Sequence, residues 1–189
     1  MSKAVMLSIR PKWVEKIASG EKTIEVRKTR PKLETPFKCY IYCTIDGIKK
    51  MPKDYIAESV ERGKVIGEFT CDWIQSFDSA YSEWAYAVAP SGSVMPMHET
   101  KALELCQKDG CLSDDDVLSY FGDEDWKAYF WHIADLRIYD TPRELSEFRR
   151  ATDPCDSCHA EYTWECTGCK KLSGDIKRPP QSWCYVEEG

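Results

Sequence analysis

The chain has 189 residues, enough for one domain with a substantial core, or one domain with a small appendage. Hydrophobic residues make up 42% and aromatics 12%, which excludes an intrinsically disordered chain. The formal charge is −6, and the longest apolar run, residues 84–89, falls far short of the ~18 residues of a membrane span. The opening residues carry too many charges for a secretory signal, so a soluble cytoplasmic protein without a membrane partner is expected.

An acidic total argues against broad electrostatic coating of nucleic acid. Its distribution is uneven, however. Residues 1–38 hold 10 Lys and Arg against four Glu, a local charge of +6, and the remainder carries −12. A basic segment on an acidic body suits a local anionic ligand such as RNA or a nucleotide; a solvated amphipathic surface would give the same arithmetic.

In chain order, residues 4–9 form a short apolar run expected as a buried strand. A helix follows, with Pro11 in its first turn and Gly20 at its C-cap. Trp13, Val14, Ile17 and Ala18 fall on one face of it, at helical spacing. Residues 23–28 alternate as a strand does, and residues 37–44 and 64–74 are β-branched and aromatic runs expected as single strands. Gly67 marks a candidate bulge in the second run. Residues 46–62 are polar, with room for a short helix, and 77–97 form an irregular excursion or lid.

Residues 98–108 suit a helix, and Ser113 before Asp114, Asp115 and Asp116 opens another that stops at Gly122. The longest strand is expected over residues 128–139, and Thr141 to Glu144 reads as a capping box for a short helix. A last strand covers 183–186. Strands and helices do not alternate regularly, so the class is α+β with a curved, mainly antiparallel sheet or small barrel.

Two clusters carry chemistry. Of ten cysteines, Cys155, Cys158, Cys166 and Cys169 form the pattern C-x2-C-x7-C-x2-C. Two such knuckles can set four thiolates around a tetrahedral Zn2+, a closed and therefore structural site. An iron–sulfur cluster and a metal-free, redox-labile loop are the alternatives, and His159 is read as a bystander. The remaining cysteines are read as small buried hydrophobes or bystanders, and His98 and His132 as isolated side chains. The second cluster is Ser19-Gly20-Glu21-Lys22-Thr23-Ile24-Glu25-Val26-Arg27. Glycine ends the helix and turns the chain into a strand whose start gathers Lys22, Glu25 and Arg27. Such a group binds a base edge and a phosphate, or transfers protons; a salt-bridged surface strand is the bland alternative.

The run SIRPKWVEKIASGEKTIEVRK, with the later KVIGEFTCD and RPPQSWCYVEE, resembles the ASCH family of the PUA-like superfamily, in a phage- or prophage-type branch. The resemblance covers residues 1–76, 126–150 and 177–188. It implies a small curved PUA-like β-barrel with a few flanking helices. Residues 1–150 and 173–189 would form the domain, and 151–172 a zinc-knuckle insert. It further implies a cleft between the first helix and the barrel that receives RNA or a modified nucleoside, lined by Lys22, Glu25 and Arg27. Ser8 and Lys12 would sit nearby, as would Ser182 and Trp183, the latter a candidate base platform. Core packing is the default role for Trp183 and for Trp13.

Some family members resemble amidohydrolases of modified cytidines that use a Lys, a Thr three residues later and a distant Glu. Here Lys22 matches the Lys, but Glu25 stands where the Thr would be. Thr23, one residue along, points elsewhere in an extended chain. A Lys22–Glu25 pair acting on water, in a nucleoside amidohydrolase or ribonuclease, is therefore the first alternative to RNA binding. A protein-interaction adaptor docking through the acidic body and the insert is the second.

Overall fold

The computed structural model describes residues 2–45, 61–78, 86–88, 94–96, 99–122, 126–151 and 174–189. They pack as two compact units: Met1–Glu15, Lys38–Phe69 and Arg137–Gly189 form the first, Lys16–Phe37 and Thr70–Leu136 the second.

The first unit is built on β1 (Lys3–Ile9), β3 (Phe37–Cys43), β4 (Val65–Cys71), β9 (Ala134–Arg143), β10 (Arg149–Arg150), β11 (Gly174–Asp175) and β12 (Trp183–Glu187). They form one sheet in the order β11-β10-β12-β1-β3-β4-β9. β1 pairs antiparallel with β12 and parallel with β3, through Met6↔Cys184 and Met6↔Tyr40. Both faces of β1 are covered, which is why its run from Ala4 to Ile9 is apolar almost without alternation. Ala4, Met6, Tyr40, Tyr42, Val65, Phe148 and Val186 fill this unit's core. Gly67 allows a close approach of two backbones. A Cβ there would stand 2.5 Å from the Arg137 carbonyl oxygen.

The helix α1 (Pro11–Ala18) carries the chain from the first unit into the second. Pro11, Val14 and Ile17 are buried, Trp13 is half-buried and Ala18 is exposed, so the apolar stripe is narrower than its spacing suggests. Gly20 adopts φ +79° at the helix end, a conformation that costs glycine little.

In the second unit, β2 (Ile24–Arg27), β8 (Lys127–His132) and β5 (Ile74–Asp78) form a separate antiparallel sheet in the order β2-β8-β5. The hairpin β6–β7 (Tyr86–Val88, Val94–Pro96) falls where an irregular excursion is expected. α2 (Glu99–Glu104) runs into a π-helical turn, Leu105–Asp109. α3 (Asp114–Phe121) starts after Ser113 and stops at Gly122 as predicted, and Asp116 completes a reciprocal capping box with Ser113. Ile24, Val26, Phe77, Leu105, Val117 and Phe130 lie in its core.

Three expectations change. The seven-stranded sheet ends at β9 and β11 without closing, and β2, β5 and β8 form a sheet of their own, so the described strands make no closed barrel. The runs 64–74 and 128–139 are each two strands. They break at Asp72–Trp73 and at Ile133, where the chain changes sheets. β9 runs through Thr141 to Arg143, so the capping box shifts to Glu144 and Glu147 around a 3-10 turn, Leu145–Glu147. The four clustered cysteines lie outside the described residues, as do His98, His159 and most of 46–62.

Candidate functional site

Among the described residues the buried polar or charged side chains are Ser8, Lys22, Glu25 and Arg27. All four are sequence-predicted site residues. Charged groups are almost never fully buried unless paired, and the structure supplies the pairing.

Lys22, Glu25 and Arg27 come together in the second unit. Glu25 and Arg27 lie two apart on β2, so their side chains leave the same face. Lys22, three residues before Glu25, would leave the other face of an ideal strand. The turn after α1 reorients it: Gly20 N–H donates to Ile17 O and Lys22 N–H to Lys16 O. Lys22 Nζ then lies 3.5 Å from Glu25 Oε2, and Arg27 Nε lies 2.9 Å from Glu25 Oε1. Lys22 Nζ also donates to the Gly110 carbonyl at 2.7 Å, just past the π-helical turn. A cation suits the exposed carbonyls of a helix C-terminus. One carboxylate thus sits between two cations in a dry setting, an arrangement that can bind an anion or move a proton.

Gly110 carries no signal in sequence, being 88 residues from its partner. It must be glycine, because a Cβ would stand 2.6 Å from the Cys106 carbonyl oxygen. The Cys106 thiol lies in the same neighbourhood, where burial pushes its pKa up to about 12 against a smaller opposing effect of Lys22.

Ser8 and Ser182 meet in the first unit. Ser8 N–H donates to Ser182 O at 3.0 Å, and Ser8 Oγ donates to Pro180 O at 2.6 Å. Trp183 is half-buried opposite Leu7, with Tyr185 edge-on at 5.4 Å between ring centroids. Lys12 is exposed and its ammonium covers the Trp13 ring at 4.3 Å, which gives that tryptophan a role outside the core. Thr23 is exposed and its backbone is engaged on both sides, with Asp109 and Ile133.

The ASCH domain family matches residues 7–172. The chain belongs to that family. Three solved structures share the ASCH fold, all of the ASCH protein from Zymomonas mobilis. The first is 17% identical, covers 98% of this chain and 88% of its own, and has a TM-score of 0.57. A serine-to-alanine variant is 18% identical, with 98% and 89% covered and a TM-score of 0.54. A tyrosine-to-phenylalanine variant is also 18% identical, with 99% and 92% covered and a TM-score of 0.55. Among proteins of curated function, none matches.

Two further features of this ASCH chain escape the sequence. A polar groove of about 490 Å3 in the first unit is lined by Lys38, Glu68, Arg137, Tyr139, Thr141 and Arg143, among others. In it Tyr139 O–H donates to Glu68 at 2.6 Å, and burial, reinforced by Glu68, raises the phenol's pKa. In the second unit His132 is not isolated, because its Nδ1 lies 2.6 Å from Asp72 Oδ1. Among the described residues no group of three or more His, Cys, Asp or Glu could hold a metal. No helix among them is long and apolar enough to cross a membrane.

Proposed function

We propose that this ASCH domain binds RNA or a nucleotide-like ligand in a cleft beside the GEKTIEVR strand, with Lys22, Glu25 and Arg27 as its anchor. The observation that carries this reading is the burial of two cations paired to one carboxylate, each of the three less than 10% exposed. Buried ion pairs rarely improve stability over apolar packing, so two cations held around one carboxylate point to a ligand rather than to the fold. The cations contact phosphate, and Glu25 accepts from a base edge while keeping both cations in place.

The test is filter binding of single-stranded RNA across a salt series, comparing wild type with Lys22→Met. Affinity falls in the variant and weakens with salt. Equal binding by a folded Lys22→Met protein sinks the reading. A second reading, hydrolysis of a modified nucleoside or of RNA, is favoured by the 3.5 Å contact between Lys22 and Glu25, which suits a proton-transfer pair. Absence of product from acylated cytidines and RNA at high protein concentration argues against it.

For Cys155, Cys158, Cys166 and Cys169 the donor set, four thiolates in two CxxC knuckles, supports a structural Zn2+. Elemental analysis of the full chain is expected to give about one zinc equivalent. Iron, or no metal, overturns that assignment.

A further inference from the structure

The corner where β5 begins and β8 ends brings four groups together, all in the second unit. Trp73 and His132 stack with their ring centroids 4.8 Å apart and only 9° between planes. The backbone fixes this pair, since His132 N–H donates to Trp73 O at 3.1 Å. Trp73 packs against the unit's apolar core, so His132 is the outer ring of the stack. Its side chain is 31% exposed and that of Asp72 42% exposed. Asp72 Oδ1 holds the imidazole edge-on through Nδ1 at 2.6 Å, which fixes the ring's plane. The fourth group is the Cys71 thiol, which donates to Trp73 O at 3.4 Å. The Cys71 thiol there is pushed up to about 12 by burial and by Asp72, against smaller opposing effects that include the Arg30 guanidinium.

A flat ring, immobilised on one face by an indole and on one edge by a carboxylate, is more than a solvated Asp–His pair requires. A surface histidine left to water keeps its rotamer freedom. Here two neighbours remove it, and the ordering cost is met before any ligand arrives. The chemistry that profits is stacking of another flat ring, with a carboxylate acceptor at its edge.

We propose that Trp73 and His132 form a nucleobase-stacking subsite for single-stranded RNA, with Asp72 as the acceptor for a base carrying an exocyclic amine. The subsite rests on the RNA-binding reading above and adds a second contact to it, independent of Lys22. A base stacks on the outer face of His132, and Asp72 Oδ2 accepts from its amino group, as an acidic side chain does from cytosine N4. Uracil has no such amine, so oligocytidine is preferred over oligouridine.

The experiment measures binding of the full chain to oligocytidine and oligouridine of about eight nucleotides, within the site size of a small single-strand-binding fold. His132→Ala is expected to weaken oligocytidine binding roughly 5- to 150-fold, the range for losing one stacked base. His132→Phe restores the ring and most of the affinity. Stacking is uncharged, so the His132→Ala deficit stays constant across a salt series in which the Lys22→Met deficit shrinks. Asp72→Ala removes the preference for oligocytidine.

Full affinity in His132→Ala, or failure of a folded His132→Phe to rescue, overturns the subsite. Binding that depends on Lys22 and not on His132 overturns the subsite alone and leaves the RNA reading standing. A wild-type chain that binds neither oligonucleotide overturns both.

Discussion

Glu25→Gln keeps the volume of the side chain and removes the one negative charge that separates two buried cations. Glu25 Oε1 lies 2.9 Å from Arg27 Nε and Oε2 lies 3.5 Å from Lys22 Nζ. At an effective dielectric constant near 20, each contact is worth about 5 kcal/mol of gross attraction. The net effect is smaller, because the carboxylate no longer has to be desolvated. Breaking one partner out of a buried pair costs roughly 3–5 kcal/mol, mostly the penalty of the charges left behind. Glutamine still offers one oxygen to Arg27, but its amide N–H2 is no partner for the Lys22 ammonium. The lower end, about 3 kcal/mol, is therefore expected.

Urea unfolding followed by tryptophan fluorescence reads this directly. With a slope of about 2 kcal/mol per molar urea, the midpoint falls by about 1.5 M at unchanged slope. A double substitution sharpens the test. Once Glu25→Gln is in place, Lys22→Met removes a cation that has lost its carboxylate and should cost ~0.5–3 kcal/mol less than it does in wild type. A Glu25→Gln loss below about 1 kcal/mol, or strict additivity of the two substitutions, refutes the account of this cluster as one coupled unit.

Gly110→Ala places a methyl group 2.6 Å from the Cys106 carbonyl oxygen and 3.1 Å from Val26 Cγ2. It is expected to destabilise by roughly 1–3 kcal/mol and to weaken RNA binding by displacing the carbonyl that holds Lys22; wild-type stability and affinity would contradict this. Burial raises the Cys71 and Cys106 thiols from 9.0 to about 12 and Cys43 to about 11. These thiols stay protonated in the folded chain while the unfolded chain ionises above pH 9.0, so stability is flat below that pH and falls above it. Each thiol removes about 1.4 kcal/mol by pH 10, and denaturation in reductant at pH 8 and pH 10 should show the difference. A Cys71→Ala, Cys106→Ala chain should show a shallower slope, and equal slopes would remove burial of these thiols as its cause. Ser113→Ala deletes the hydroxyl that accepts from Asp116 N–H at 3.1 Å, and about 1 kcal/mol in a thermal melt is expected. No change would mean that Asp116 caps the helix alone.

What the sequence reveals of the site follows from how local the determining contacts are. Lys22, Glu25 and Arg27 lie within six residues, and the turn that joins them is written in Gly20 and in the helix before it. Their grouping is therefore readable without a fold. The helix ends are equally local, as the Ser113–Asp116 box shows. Gly110 is the contrary case. Its carbonyl becomes a ligand for Lys22 only because the π-helical turn ends beside β2, and no periodicity in either segment encodes that meeting.

The two split strands show the same limit in a more instructive form. Residues 64–74 and 128–139 keep their β-branched and aromatic character through the breaks, because each half is itself a strand: β4, β5 and β8 have buried residues, and β9 carries half-buried Leu136 and Tyr139 among exposed neighbours. Side-chain alternation says which face is covered and not which sheet the strand joins. At the break the chain instead makes contacts between residues about sixty positions apart, Asp72 with His132 and Trp73 with His132. Those contacts turn a histidine that stands alone in the sequence into an oriented, stacked ring. Local rules fail where long-range contacts override them, and such places are enriched in functional sites. A strand run that reads as continuous and proves to be broken is thus a reason to inspect the break for chemistry, and here the break holds a stacked pair and a carboxylate.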